Sequence, residues 1–247
     1  HLGLYNPDGS RKQISTHILQ IANEYYAAAR PKQPLRNNEL PTLALATRGI
    51  AYLELRLTDI NPEDPCGISL AQLNVLETYL LYCILHPEGP QDHAVRDEND
   101  HNRLRTACCG LSDGFTLKQT RRDRPIQDAA LELLAAMQPI AARLDAERGG
   151  SASSDALAAL TREVADRTHL PYRAQAGNRE GFLAYHLAWR EKHHATLHQP
   201  LPETERAALT AQAAASLSKQ AEIEARPQAD FETYLREHFA PLQQLLD

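Results

Sequence analysis

Between Arg48 and Pro62 the chain reads Arg-Gly-Ile-Ala-Tyr-Leu-Glu-Leu-Arg-Leu-Thr-Asp-Ile-Asn-Pro, an alternation that sets Glu54 and Arg56 on one side of a strand. With a period of two, Ala51, Leu53, Leu55 and Leu57 share one face and Tyr52, Glu54, Arg56 and Thr58 the other. A carboxylate and a guanidinium two residues apart can hold a cation against an anion. Glu54 would be a ligand for a hard metal ion, and Arg56 a clamp for a phosphate or carboxylate. The same pair also suits an ordinary salt-bridged outer face, and this strand alone leaves both readings open. The apolar face suits a core.

The preceding residues must position that pair. Leu2 to Tyr5, the turn Asn6-Pro7-Asp8-Gly9-Ser10 and the run from Arg11 to Ile21 read as a hairpin, because Pro-Asp-Gly presets the backbone for a reversal. The second strand runs into Asn23-Glu24-Tyr25-Tyr26, and a basic loop follows with Arg30, Lys32 and Arg36. Strands ending beside tyrosines, a carboxylate and a basic loop outline a site for a nucleotide or an amino acid. A solvated loop would also carry Arg and Lys, so composition does not decide between them.

The order of these motifs resembles that of the glutamate–cysteine ligases of the proteobacterial type. The residues that carry the resemblance are Gln20-Ile21, Asn23-Glu24 and Tyr26, then Arg30-Pro31-Lys32, then Arg48-Gly49-Ile50, Tyr52, Glu54, Arg56 and Asp59-Ile60-Asn61-Pro62. It is strong from about residue 2 to 68 and continues weakly through Asn102-Arg103 and Gly114-Phe115-Thr116-Leu117. It implies an ATP-dependent enzyme that joins the γ-carboxylate of glutamate to the amine of cysteine, the first step of glutathione synthesis. Carried over by position, Glu54 is a ligand for Mg²⁺ (or Mn²⁺) against the ATP phosphates. Arg56 faces the phosphoryl group and the substrate carboxylate, as a catalytic and substrate-binding residue. Tyr26 stands at the wall of the cysteine pocket, and Arg30 and Lys32 lie near phosphate. Two positions depart from the family's pattern: Ala22 replaces a commonly acidic residue, and Ala107-Cys108-Cys109-Gly110 replaces a Glu-Gly-Arg-like stretch.

The implied chemistry explains the residue types. A carboxylate is a poor acylating agent, so the family phosphorylates it first and then lets the amine attack the acyl phosphate. Phosphoryl transfer depends on positioning and charge neutralisation, which Mg²⁺ on carboxylates and Arg or Lys supply. The family's chain is about twice as long as this one, and its first half supplies most metal ligands. The resemblance therefore implies the C-terminal half of a ligase, whose partner is an N-terminal half on a separate or nicked chain. Alone, this chain is expected to be inactive. Two rival readings remain: a non-catalytic interaction or regulatory protein derived from the ligase, and a related carboxylate–amine ligase using another amine.

Composition fits a soluble protein of the cytoplasm. A formal charge of −6 and a pI near 6.0 leave no basic excess for nucleic acid. No stretch approaches the roughly 18 apolar residues of a membrane span. The cysteines at 66, 83, 108 and 109 have no metal-ligand spacing, and buried thiols are the expectation for them. His194 and His198 are four apart with His193 adjacent, but no third acidic or Cys ligand stands at fitting spacing, so a cationic helix end is the simpler account. Arg121-Arg122-Asp123-Arg124 reads as a solvated loop before a helix.

Beyond Pro65 the period becomes helical. Ser69 to Gln72 forms a capping box ahead of an apolar stripe from Leu70 to Ile84. Gln91 to Asn102 is polar and charged and reads as a surface loop or a poorly ordered segment. Further helices are expected from Pro125 to Arg148, from Ser154 through Asp166, and over 180–198, 203–225 and 231–246. The expected fold is α+β: residues 1–66 carry antiparallel strands of a glutamine-synthetase-like ligase sheet with the site motifs, and 67–247 a helical region.

Overall fold

The computed structural model describes residues 3–16, 18–21, 24–36, 39–110, 112–119, 123–227 and 229–246. The fold is α+β, mostly helical with small antiparallel sheets. The chain forms two compact units, residues 1–59 with 200–247, and residues 60–199. These limits follow packing, whereas the sequence division at residue 66 follows periodicity.

In the first unit, β1 (Ala29–Lys32) pairs antiparallel with β2 (Tyr52–Leu55), and α1 (Pro41–Arg48) connects them. The register sets Arg30 opposite Glu54 and Lys32 opposite Tyr52. The stretch expected to be a basic loop is therefore a strand. The Asp8-Gly9 turn forms as expected: the Asp8 carboxylate accepts from the Ser10 amide at 2.9 Å, and Gly9 takes φ +82°. Its ladder, however, is a single bridge between Tyr5 and Arg11, and the described residues from Gln13 to Ile21 form no strand. Arg11 instead ion-pairs with Glu232 of α9 (Phe231–Leu246) and donates to the Gln13 and Ile14 carbonyls, both at 3.3 Å. These bonds hold the chain in a bend rather than an extended ladder. Ala22 and Asn23 lie outside the described residues. α8 (Glu203–Glu224) has no buried residue.

The second unit holds the main core. α4 (Ile126–Arg148) and α5 (Ala152–Ala165) form a helical hairpin against α2 (Leu70–Leu85). Leu134, Met137, Ala141 and Leu157 are buried together, with Val75, Tyr82 and Leu160 packed around them. The capping box of α2 forms as read, and Arg148 chelates Glu77 at 2.6 and 2.7 Å, tying α4 to α2. The break at Gly149 is a left-handed C-cap with φ +76°. The next helix starts earlier than Ser154. Asp145, at the end of α4, accepts from the Ser153 and Ser154 amides at 2.8 and 2.9 Å, so a carboxylate from the preceding helix does the capping.

Residues 93–109 form α3 (His93–Cys109), not a loop. Asp92 caps it by accepting from the Val95 amide at 2.9 Å. The Asn102 side chain exchanges two 2.7 Å hydrogen bonds with the Lys118 backbone, beside β3 (Thr116–Leu117), which pairs with β4 (Arg124–Pro125). Polar bonds hold this helix, and an apolar-stripe criterion misses it. Of the loop expected over 121–124, Arg121 and Arg122 lie outside the described residues, and Arg124 belongs to β4.

The unit continues through a 3-10 turn (Arg167–His169), α6 (Pro171–Ala176) and α7 (Phe182–Leu197). In α7, His193 Nε2 donates to the Pro62 carbonyl at 2.8 Å, and the Tyr185 hydroxyl donates to Glu63 at 2.7 Å. His194 and His198 stack at 3.7 Å. All four cysteines are free and exposed, contrary to the burial expected of them. No helix is long and apolar enough to cross a membrane, among the described residues.

Candidate active site

The polar face of the β1–β2 pair gathers the expected site residues. Pleat parity places Arg30, Lys32, Tyr52, Glu54 and Arg56 on one side, since Arg30 and Glu54 are direct cross-strand partners. Glu54 is the only carboxylate in that group, with three cations around it. Arg56 Nε lies 3.1 Å from Glu54 Oε1 and Arg56 Nη2 3.2 Å from Oε2, a two-pronged contact. Lys32 Nζ reaches Glu54 Oε2 at 3.0 Å. The Arg56 hydrogen bonds, then that of Lys32, hold the Glu54 carboxyl below the usual carboxylate range against the opposing effect of burial. Glu54 is therefore ionised at neutral pH.

Tyr26 reaches the same cluster from the segment before β1. Its hydroxyl donates to the Arg56 carbonyl at 3.4 Å, and the Arg56 guanidinium carbon lies 5.8 Å from its ring centroid. Tyr26, Lys32, Glu54 and Arg56 are thus joined by contacts, while Arg30 is placed on the face by register.

A framework that sequence reading missed supports the far end of the strands. Arg48 donates to Glu39 at 2.6 and 2.7 Å and to the Pro34 carbonyl at 2.8 Å. Gln33 donates to the carbonyls of Arg48 and Gly49 at 3.2 and 3.0 Å. Hydrogen bonding from Arg48 lowers the Glu39 carboxyl to about 2. The pair closes α1 onto the chain leaving β1, which sets the approach of β2. The nine-residue spacing of Glu39 and Arg48 has no periodic signature, so nothing in the sequence alone announces it. Asn61 and Pro62 serve a turn: the Asn61 amide donates to the Gly67 carbonyl at 2.7 Å, and its side chain donates to Gln72 of the α2 capping box at 3.1 Å.

No group of three or more His, Cys, Asp or Glu that could hold a metal ion occurs among the described residues. Mg²⁺ commonly takes one or two protein carboxylates and completes its shell with phosphate oxygens and water. Glu54, ionised and partly exposed beside cations suited to phosphate, fits one such ligand.

A family model described as glutamate–cysteine ligase matches residues 1–106. A glutamate–cysteine ligase from Pseudomonas paraeruginosa is 36% identical over 244 residues, covering 97% of this chain and 46% of its own length. One from Azotobacter vinelandii is 36% identical, covering 96% of this chain and 46% of its own length. A crystal structure of glutamate–cysteine ligase from Francisella tularensis in complex with AMP superposes with a TM-score of 0.85 at 27% identity. That match covers 98% of this chain and 49% of the solved one. The chain spans about half the length of the curated relatives it matches.

Proposed function

The chain belongs to the glutamate–cysteine ligase family, and on that premise we propose that it is the C-terminal portion of an ATP- and Mg²⁺-dependent ligase. The reaction joins the glutamate γ-carboxylate to the cysteine amine through a γ-glutamyl phosphate, in the cytoplasm, and needs the N-terminal half of the ligase, which this chain does not match. The observation that carries the reading is the Lys32–Glu54–Arg56 cluster under Tyr26. The AMP complex of the Francisella relative supports the nucleotide.

When bound, Mg²⁺ would screen the phosphate charge so that the γ-phosphoryl group can pass to the carboxylate oxygen. Glu54 would hold the ion. Lys32 and Arg56, which Glu54 satisfies in this structure, would exchange that carboxylate for phosphate oxygens, keeping their hydrogen bonds while their charge stabilises the transferring group. Arg56 would also orient the substrate carboxylate. Tyr26 would hold the Arg56 backbone and close the pocket on the amine side, and Arg30 would add positive potential.

The test is γ-glutamylcysteine formation from ATP, glutamate and cysteine. The expected result is no product from this chain alone and product with the N-terminal half present. Turnover by the purified chain without a partner would overturn the two-part reading.

A further inference from the structure

Two adjacent cysteines, Cys108 and Cys109, line one cavity of the second unit. Its volume is about 430 Å³, within the roughly 300–1,000 Å³ typical of small-molecule sites. The cysteines line it from the end of α3, Ser112 and Asp113 from the turn that follows, and Tyr172 and Arg173 from α6. Hydrogen bonds tie these walls together. Arg167 Nη2 donates to the Gly110 carbonyl at 3.2 Å, and Arg173 Nε donates to the Arg167 carbonyl at 3.0 Å. Gly110 is buried, and an added Cβ there would lie 2.6 Å from the Thr106 carbonyl oxygen. The end of α3 is therefore anchored to the segment that carries α6.

The chemistry of the lining is specific. Both cysteines are free and exposed. Neither Arg173 nor Asp113 has an ion-pair partner among the described residues. A guanidinium and a carboxylate facing one space complement the carboxylate and ammonium of an amino acid. The thiols beside them suit a molecule that also carries sulfur. The other cysteines lack this combination. Cys66 lies in the turn between Asn61 and Gly67, and Cys83 shares its cavity with Arg124, which Glu132 already holds.

We propose that the Cys108–Cys109 cavity is a site of reversible S-thiolation by a small zwitterionic disulfide of the amino-acid class. The thiolate of one cysteine attacks a sulfur of the disulfide. A new S–S bond to the protein forms as the old one breaks, and the departing thiolate takes the electron pair and then a proton from water. Arg173 holds the carboxylate of the retained half, and Asp113 holds its ammonium. Successive helical side chains point about 100° apart, so the neighbouring cysteine is poorly aligned to displace the adduct and close a ring with the first. The adduct stays until an external thiol removes it. The site stands whether or not the ligase reading above holds.

The test incubates the whole chain with cystine and, in parallel, with uncharged bis(2-hydroxyethyl) disulfide, and reads adducts by intact mass and peptide mapping. Dividing the rate at the pair by the rate at Cys66 in the same molecule removes the intrinsic reactivity of each reagent. That ratio should be at least about tenfold higher for cystine, the worth of one charge-assisted hydrogen bond. One adduct per pair is expected, and a reducing thiol should remove it. Arg173→Ala and Asp113→Asn should each bring the cystine ratio down toward that of the uncharged reagent. Asp113 makes no side-chain hydrogen bond among the described residues, so its variant keeps the test decisive if Arg173→Ala also loosens the contact with Arg167. Equal ratios for the two reagents, or a preference that survives both variants, overturns the proposal. So does loss of two hydrogens with no adduct, the mark of a bridge between the two cysteines.

Discussion

Lys32 meets Glu54 at 3.0 Å across the β1–β2 pair, two residues along the strand from Arg30, the direct partner of Glu54. This diagonal contact joins residues 22 positions apart and turns two separately ambiguous motifs into one charged cluster. It also implies competition: an anion that draws on Lys32 and Arg56 competes with the Glu54 carboxylate for their charge.

Replacing Lys32 or Arg56 by Ala in the assembled enzyme should weaken Mg²⁺-ATP binding by about tenfold or more each. The double variant should also flatten the dependence of binding on ionic strength, because both charges would act on phosphate in the proposed site. Titration calorimetry at two salt concentrations reads both effects, and unchanged affinity would remove these residues from the site.

Glu54→Gln should keep the fold and raise the Mg²⁺ concentration needed for half-maximal rate. Because the native Glu54 carboxyl lies below its usual value, ligation should persist through mildly acidic pH and fail as pH falls through that lowered value. A metal titration at successive pH values checks this.

The Glu39–Arg48 pair carries a stability signature. Glu39 is lowered from 4.5 to about 2, so its contribution is complete above 4.5 and lost as pH falls toward about 2. Thermal melts between pH 5 and pH 2 (a range of about three units set by those values) should fall less in Arg48→Ala than in the parent. Equal slopes would mean that the pair stabilises nothing.

Leu157 and Met137 are almost wholly buried in the second unit. Leu157→Ala should cost about 2–5 kcal/mol, read as an earlier denaturant midpoint for α2, α4 and α5. Asp145→Ala should also lower that midpoint, since the α5 amides of Ser153 and Ser154 lose their acceptor. Asp145→Asn should retain part of the effect.

Much of the helical framework is legible in the sequence. The stripe and cap of α2, the Gly149 stop of α4, and the extents of α8 and α9 follow from local rules, because capping bonds and apolar periodicity act within a few residues. The strand around Glu54 is legible for the same reason. Sequence reading fails where distant groups decide: Arg11 bends the expected second strand, Asn102 bonds anchor α3, and Asp145 moves the start of α5.

By itself the sequence determined the residue types of the site, the alternation that exposes Glu54 and Arg56 together, and the family likeness. Only the tertiary structure decided that residues 29–32 are a strand, that Lys32 shares Glu54 with Arg56, and that Leu53 and Leu57 lie about half exposed. The physical reason is range. Alternation and capping are set by neighbours along the chain, whereas strand partners, ion pairs and burial depend on which distant surfaces meet.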